Sequence, residues 1–133
     1  MILGLGTDLV SIAGVRQRLE RTPGLAERIC DPSELAAGAS SRDPGRAFAE
    51  RFAAKEAVMK ALGTGWAQGV TFADIVVCDP EMAGPGAGNP RVELRGAAGA
   101  LLASQNARVL LSVSSDGGYA VALVVLVAPA ESG

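Results

Sequence analysis

At 133 residues, with 49% apolar and 20% charged side chains, the chain is sized and composed for one globular domain rather than a disordered segment. Its net charge of −2 gives no global field for nucleic acid or an anionic membrane, although nine of the twelve basic residues fall in residues 1–66. The absence of histidine excludes Ser-His-Asp and Cys-His catalysis, and Cys30 and Cys78 lack the paired spacing of a zinc site or a disulfide framework.

The opening MILGLGTDLV reads as a buried strand, with Ile2, Gly4, Gly6 and Asp8 on one side and Leu3, Leu5, Thr7 and Leu9 on the other. It has no basic leader and soon reaches an acid, which argues against a secretory signal, while the isolated Cys30 and Cys78 read most simply as a reduced, cytoplasmic setting. SIAGVRQRLERT follows as a short helix with Ser11 as N-cap. PGLAERICDPSELAAGASS divides into two short helices around a turn at Asp31-Pro32. The strongest element comes next: Asp43 as N-cap, Pro44 at the first helical position, an uninterrupted run from Arg46 to Leu62, and Gly63 as the stop. DIVVCD, RVELR, VLLSVSS and YAVALVVLV then read as strands. The Gly/Pro-rich loop PEMAGPGAGN separates the first two, and an Ala-rich helix near 97–106 precedes the last two. Asp116-Gly117 is a two-residue hairpin signal, and the tail after Val127 is expected to be loose. The longest apolar run is about half what a membrane helix needs. With no repeat or linker, residues 1–133 are expected to form a single α+β domain, a small antiparallel sheet with one long helix.

Chemistry concentrates in that helix. Its Lys55 and Lys60, on either side of Glu56, are the chain's only lysines; the other ten basic residues are arginine. Lysine offers a compact charge whose pKa can move, which arginine does not. Phe52, Val58, Met59 and Leu62 gather on one face, and Ala53, Ala57 and Ala61 line another where a second backbone can come close. Glu56 and Lys60 lie in the seam, adjacent in space, and an ordinary surface ion pair is the plainer alternative there. Asp8 is costly inside an apolar strand unless it is paired or ligates a metal, and Gly4 and Gly6 read as an open floor where a ligand could approach. Capping the next helix is its plainer role. Gly4-x-Gly6 lacks the third glycine of a dinucleotide fingerprint. Asp8 and Glu56 together would make a hard oxygen site suited to Mg²⁺ and phosphate chemistry. In LSVSSDGGYA the serines suit phosphate or, more plainly, solvation of a hairpin end.

In order and spacing, MILGLGTDLV, RFAAKEAVMKALGTG, GVTFADI, GNPRVEL and LSVSSDGGYAVALVV resemble the holo-[acyl-carrier-protein] synthases, from Met1 to about Val127. The resemblance implies transfer of 4′-phosphopantetheine from coenzyme A to a serine of an acyl carrier protein, releasing adenosine 3′,5′-bisphosphate. It implies small α+β subunits in homotrimers, with active sites at the subunit interfaces. Asp8 and Glu56 would hold Mg²⁺, or Mn²⁺, on the diphosphate, and Lys60 would sit by the transferring phosphate. Arg51, Lys55, Gly63, Asn89, Pro90, Ser114 and Ser115 would surround coenzyme A. Deprotonation of the carrier serine falls to Glu56 through a water, or to Lys60. Arg16, Arg18, Arg21 and Arg28 are candidates to grip the acidic carrier.

Two positions depart from the pattern. Ser115 stands where many members have histidine, and Gly14 where the first helix often carries arginine, while LAERI around Arg28 matches. These departures motivate an alternative, a relative that binds coenzyme A or carrier without efficient transfer. A Mg²⁺-dependent phosphohydrolase on the same carboxylates would need a water-activating group that the sequence does not show.

Overall fold

The computed structural model describes residues 1–63, 68–80 and 90–130. In chain order these form β1 (Ile2–Ser11), α1 (Ile12–Arg21), α2 (Leu25–Ile29), α3 (Pro32–Ala39) and α4 (Pro44–Leu62). A 3₁₀ turn (Phe72–Asp74), β2 (Ile75–Cys78), β3 (Arg91–Leu94), α5 (Gly96–Ser104), β4 (Arg108–Asp116) and β5 (Tyr119–Val127) follow.

Local chemistry sets the helix boundaries. The Ser11 hydroxyl accepts from the Gly14 N–H at 3.1 Å at the start of α1. Asp31 caps α3, with Pro32 in the first turn and the Glu34 carboxylate accepting from the Asp31 N–H, a capping box. Asp43 caps α4 by accepting from the Arg46 N–H at 3.1 Å, and Gly63, at φ +74°, ends it.

The antiparallel strands form two sheets, β1-β5-β4 and β2-β3. In the β4–β5 hairpin, Asp116 pairs with Tyr119, so the loop is Gly117-Gly118 and not the expected Asp116-Gly117. Both loop residues have positive φ, +59° and +84°, which glycine adopts freely, and Asp116 remains in the strand. Pairing also runs past Val127. The Met1 ammonium donates to the Ala128 carbonyl at 3.0 Å and the Ala128 N–H donates back to Met1 at 2.9 Å, so the expected loose tail is held at its start. Residues 131–133 of that tail lie outside the described residues.

Helix α4 lies across one face of the three-stranded sheet. Gly4 and Gly6 are not an open floor: a Cβ at either would collide with the α4 backbone at Ala61 or Ala57. The alanine face of α4 packs there as its small side chains anticipated, and it shares the core with the buried Ala120, Ala122, Val124 and Leu126 of β5. The opposite sheet face carries Leu3, Leu5, Leu9, Leu110, Tyr119, Val121 and Leu123, each 38–66% exposed. Among the described residues, no helix is long and apolar enough to cross a membrane.

Candidate active site

Because Gly6 lets α4 press onto β1, the last turns of the helix pass beside Asp8, two residues further along the strand. Lys60 Nζ donates to Asp8 Oδ1 at 3.0 Å and to the Thr7 carbonyl at 3.0 Å. Its ion partner is therefore Asp8 across the fold, not Glu56 four residues back along the helix. The Asp8 side chain is 15% exposed and that of Lys60 53%, so the carboxylate points inward and the ammonium sits at the rim.

Glu56 lines the same cavity as Asp8, about 360 Å³ in volume. Burial pushes the Glu56 pKa above the ordinary carboxylate value and the Asp8 charge adds to it, against the opposing fields of Lys60 and Arg18. Two carboxylates facing one cavity, with no hydrogen bond to Glu56 among the described residues, make an arrangement that a cation would relieve. The described residues hold no cluster of three or more His, Cys, Asp or Glu. Two hard oxygen donors with open space beside them fit Mg²⁺ or Mn²⁺, which would complete its shell with water and phosphate oxygens, and do not fit a closed zinc site.

A second cavity, about 520 Å³, shares Val15, Arg18, Phe52 and Glu56 with the first and continues to Leu25 and Phe72. Phe52 stacks on Phe48 with centroids 6.4 Å apart and meets Phe72 at 5.7 Å, forming an aromatic wall. Its residues come from α1, α2, α4 and the 3₁₀ turn, so no single stretch of sequence announces it.

Several expected site residues are placed elsewhere. Lys55 is a correction: it is fully buried, and its ammonium pairs with Glu34 Oε1 at 2.8 Å, out of reach of any phosphate. One lysine of the pair is structural and only Lys60 stands at the site. Arg51 projects about 140° around α4 from Glu56 and meets Asp79 at 3.4 Å. Ser115 lies two strands across from Val10, roughly 10 Å away, where its hydroxyl donates to Glu50 at 2.8 Å and accepts from Arg46 Nε at 2.7 Å. Ser114 faces the exposed side of the sheet. Gly63 ends α4 in open space one turn beyond Lys60, Pro90 precedes β3, and Asn89 lies outside the described residues. Of the arginines, Arg16 donates from Nη2 to both carboxylate oxygens of Asp43, 2.7 Å to each, bracing the start of α4. Arg18 borders both cavities, and Arg21 and Arg28 are exposed.

Residues 4–124 match the model of the 4′-phosphopantetheinyl transferase superfamily. The chain is 44% identical to the holo-[acyl-carrier-protein] synthase of Vibrio cholerae over 128 residues, covering 95% of this chain and 98% of that one. The chain belongs to this family. It is also 44% identical to the holo-[acyl-carrier-protein] synthase of Desulforudis audaxviator, covering 99% of this chain and 98% of the other. The synthase structure from Neisseria meningitidis superposes with a TM-score of 0.82 at 35% identity, covering 95% and 98% of the two chains. The Bacillus anthracis synthase, solved in complex with CoA (3′,5′-ADP), gives 0.77 at 30% identity, covering 97% and 99%. Membership of the holo-[acyl-carrier-protein] synthase group makes this chain a phosphopantetheinyl transferase by family, on an α+β fold with antiparallel sheets.

Proposed function

We propose that this protein transfers 4′-phosphopantetheine from coenzyme A to a serine hydroxyl of an acyl carrier protein, releasing adenosine 3′,5′-bisphosphate, and requires Mg²⁺ or Mn²⁺. What carries the reading is the juxtaposition of Asp8 and Glu56 on one cavity, with Lys60 anchored on Asp8, in a chain of this family. Asp8 and Glu56 would hold the metal, whose charge would offset the negative charge on the diphosphate. Lys60, oriented by Asp8 and the Thr7 carbonyl, presents a fixed positive charge to the transferring phosphate. It meets two acceptors as an ammonium, which suits a cation rather than a base. Glu56, with its raised pKa, takes the serine proton through a water. The serine oxygen bonds to the phosphorus that bears pantetheine, the bond from that phosphorus to the bridging oxygen breaks, and the electron pair leaves on adenosine 3′,5′-bisphosphate.

The apolar cavity beside Glu56, bordered by Arg18 with Arg21 and Arg28 exposed on α1 and α2, suits an acidic carrier that inserts an apolar side chain next to its serine. The uncovered apolar sheet face supports a homotrimer, since other copies would cover it. Arg51, Pro90, Ser114 and Ser115 lie away from Asp8 within one subunit and would reach coenzyme A from a neighbouring copy. The unpaired Cys30 and Cys78 fit a reducing, cytoplasmic setting.

The test is to incubate apo acyl carrier protein with coenzyme A, Mg²⁺ and the protein, and to weigh the carrier by intact-mass spectrometry. Addition of one phosphopantetheine, abolished by chelation and restored by Mg²⁺, is expected. Carrier binding with no mass gain would favour the non-catalytic relative, and full turnover after exhaustive chelation would refute the metal requirement.

A further inference from the structure

The two cavities meet at Val15, Arg18, Phe52 and Glu56, and of these only Arg18 and Glu56 are charged. Glu56 has its role as a metal ligand and base. Arg18 is exposed and, among the described residues, has no hydrogen bond or ion pair that fixes it, whereas its neighbour Arg16 is taken by Asp43. Its place on α1 explains how it reaches the junction. Helical side chains lean toward the N-terminus of their helix, so Arg18 leans over the preceding turn, which is Gly14. Gly14 has no side chain to cover that turn, and only Ser11 stands within 4 Å of where one would begin. Ser11, Gly14 and Arg18 together wall the cavity that Asp8 and Glu56 share. Among the described residues Arg18 is the cation in that wall, while Lys60 approaches from α4 and is bound to Asp8.

Charge balance gives this arginine a purpose. The fields of Asp8, Lys60 and Arg18 all reach Glu56. These two carboxylates and two cations cancel. With a divalent cation held there, the site carries the charge that offsets the two negative charges of a diphosphate diester. Without Arg18 half of that charge is lost. Position points the same way. Carrier serine and coenzyme A must meet where the carrier cavity opens into the carboxylate cavity, and Arg18 stands at that opening. Arg21 and Arg28 line neither cavity and remain for the carrier.

We propose that Arg18 is a further catalytic residue: its guanidinium donates to a non-bridging oxygen of the phosphate that passes from coenzyme A to the carrier serine. The inference rests on the transfer proposed above, and assigns Arg18 to that phosphate rather than to an acid of the carrier. No bond to Arg18 forms or breaks. It holds the phosphate where the two substrates meet and offsets charge while the phosphorus–oxygen bonds change.

Arg18→Met removes the charge from an exposed position and keeps a good helix former there. Calorimetry in the presence of Mg²⁺ tests binding without turnover. The Kd for coenzyme A should rise at least about fivefold, while that for adenosine 3′,5′-bisphosphate, which lacks the transferring phosphate, stays within about twofold. The Kd for apo acyl carrier protein should also stay within about twofold, and kcat should fall about tenfold or more. Equal weakening of coenzyme A and the bisphosphate would put Arg18 on the adenosine side and overturn the proposal. A rise of about fivefold or more in the apo-carrier Kd would make Arg18 a docking residue and overturn it, whatever happens to coenzyme A. Unchanged coenzyme A affinity or unchanged kcat, with the wild type active, overturns it as well. If the wild-type protein binds coenzyme A but modifies no carrier, the reading of function fails, and the comparison of coenzyme A with the bisphosphate alone judges whether Arg18 holds that phosphate. If it binds no coenzyme A, both fall.

Discussion

Gly6→Ala should damage both stability and catalysis, although it adds only one methyl group and substitutes no site residue. The added Cβ would lie 2.8 Å from the Ala61 nitrogen and closer still to the Ala57 carbonyl oxygen, where ordinary contact begins at 3.4 Å. Both obstacles are helix backbone, which cannot rotate aside, so α4 must retreat as a body by on the order of 1 Å or more. A gap of 0.5–1 Å already forfeits roughly a quarter to a half of each dispersion well along the face. Overpacking costs about 1–3 kcal/mol, and a displaced 19-residue helix puts this case at or beyond the upper end. At roughly 4 °C per kcal/mol for a chain of this size, Tm should fall by about 12 °C or more. The retreat also carries Glu56 and Lys60 away from Asp8, and a misplacement of about 1 Å can cost on the order of a hundredfold in rate. Gly14→Ala is the control. Its Cβ would meet only Ser11 atoms at 3.5 Å within α1, and it should stabilise by about 0.5–1 kcal/mol. Differential scanning calorimetry and steady-state kinetics of both variants are the assays. A Gly6→Ala protein with Tm within about 3 °C of wild type and rate within about threefold would show that the close approach of α4 to β1 is not what builds the site.

Glu56→Gln should abolish transfer yet raise Tm at neutral pH. The folded protein holds the Glu56 pKa above its unfolded value, so ionised Glu56 costs stability above that pKa and costs none once both states are protonated. The advantage of the variant should therefore shrink as pH falls through the carboxylate range, and a Tm gain independent of pH would contradict this. Lys60→Arg should not rescue the loss seen in Lys60→Ala, because a flat guanidinium cannot meet Asp8 Oδ1 and the Thr7 carbonyl as the compact ammonium does. Most of the wild-type kcat in Lys60→Arg would mean that charge alone suffices. Ser115→Ala should cost no more than about tenfold in kcat/KM, since one neutral hydrogen bond is worth about 1 kcal/mol, whereas a hundredfold loss of kcat would make Ser115 a catalytic group.

What could be read from the sequence was what neighbours in the chain decide. Ser11, Asp43-Pro44 and Gly63 mark helix ends by bonds that reach only a few residues, and each stands where the caps predicted, while Asp31-Pro32, read as a turn, proves to cap α3. The alanine face of α4 foretold a close backbone but not which one, and the glycines expected to admit a ligand admit that helix instead. The two lysines looked alike because their difference is non-local. Lys55 finds Glu34, which is 21 positions away, and Lys60 finds Asp8, 52 positions away. Of the site, Asp8, Glu56 and Lys60 come together as their residue types implied, while the Arg46–Ser115 contact and the Phe72 wall depend on partners too distant for any local pattern.

The order of strands also bears on how the protein is made. The central strand of the main sheet, β5, is the last of the described strands to be synthesised, and the pairing of Met1 with Ala128 spans 127 positions. Until β5 emerges, β1 and β4 share no partner, and the apolar sides of both stay bare. The sheet therefore closes only once β5 is available, and one of its two ladders, β1–β5, joins residues more than 100 positions apart, which slows folding. A product truncated before Tyr119 would lose the strand that both edges need and expose two unpaired edges, a form prone to aggregate.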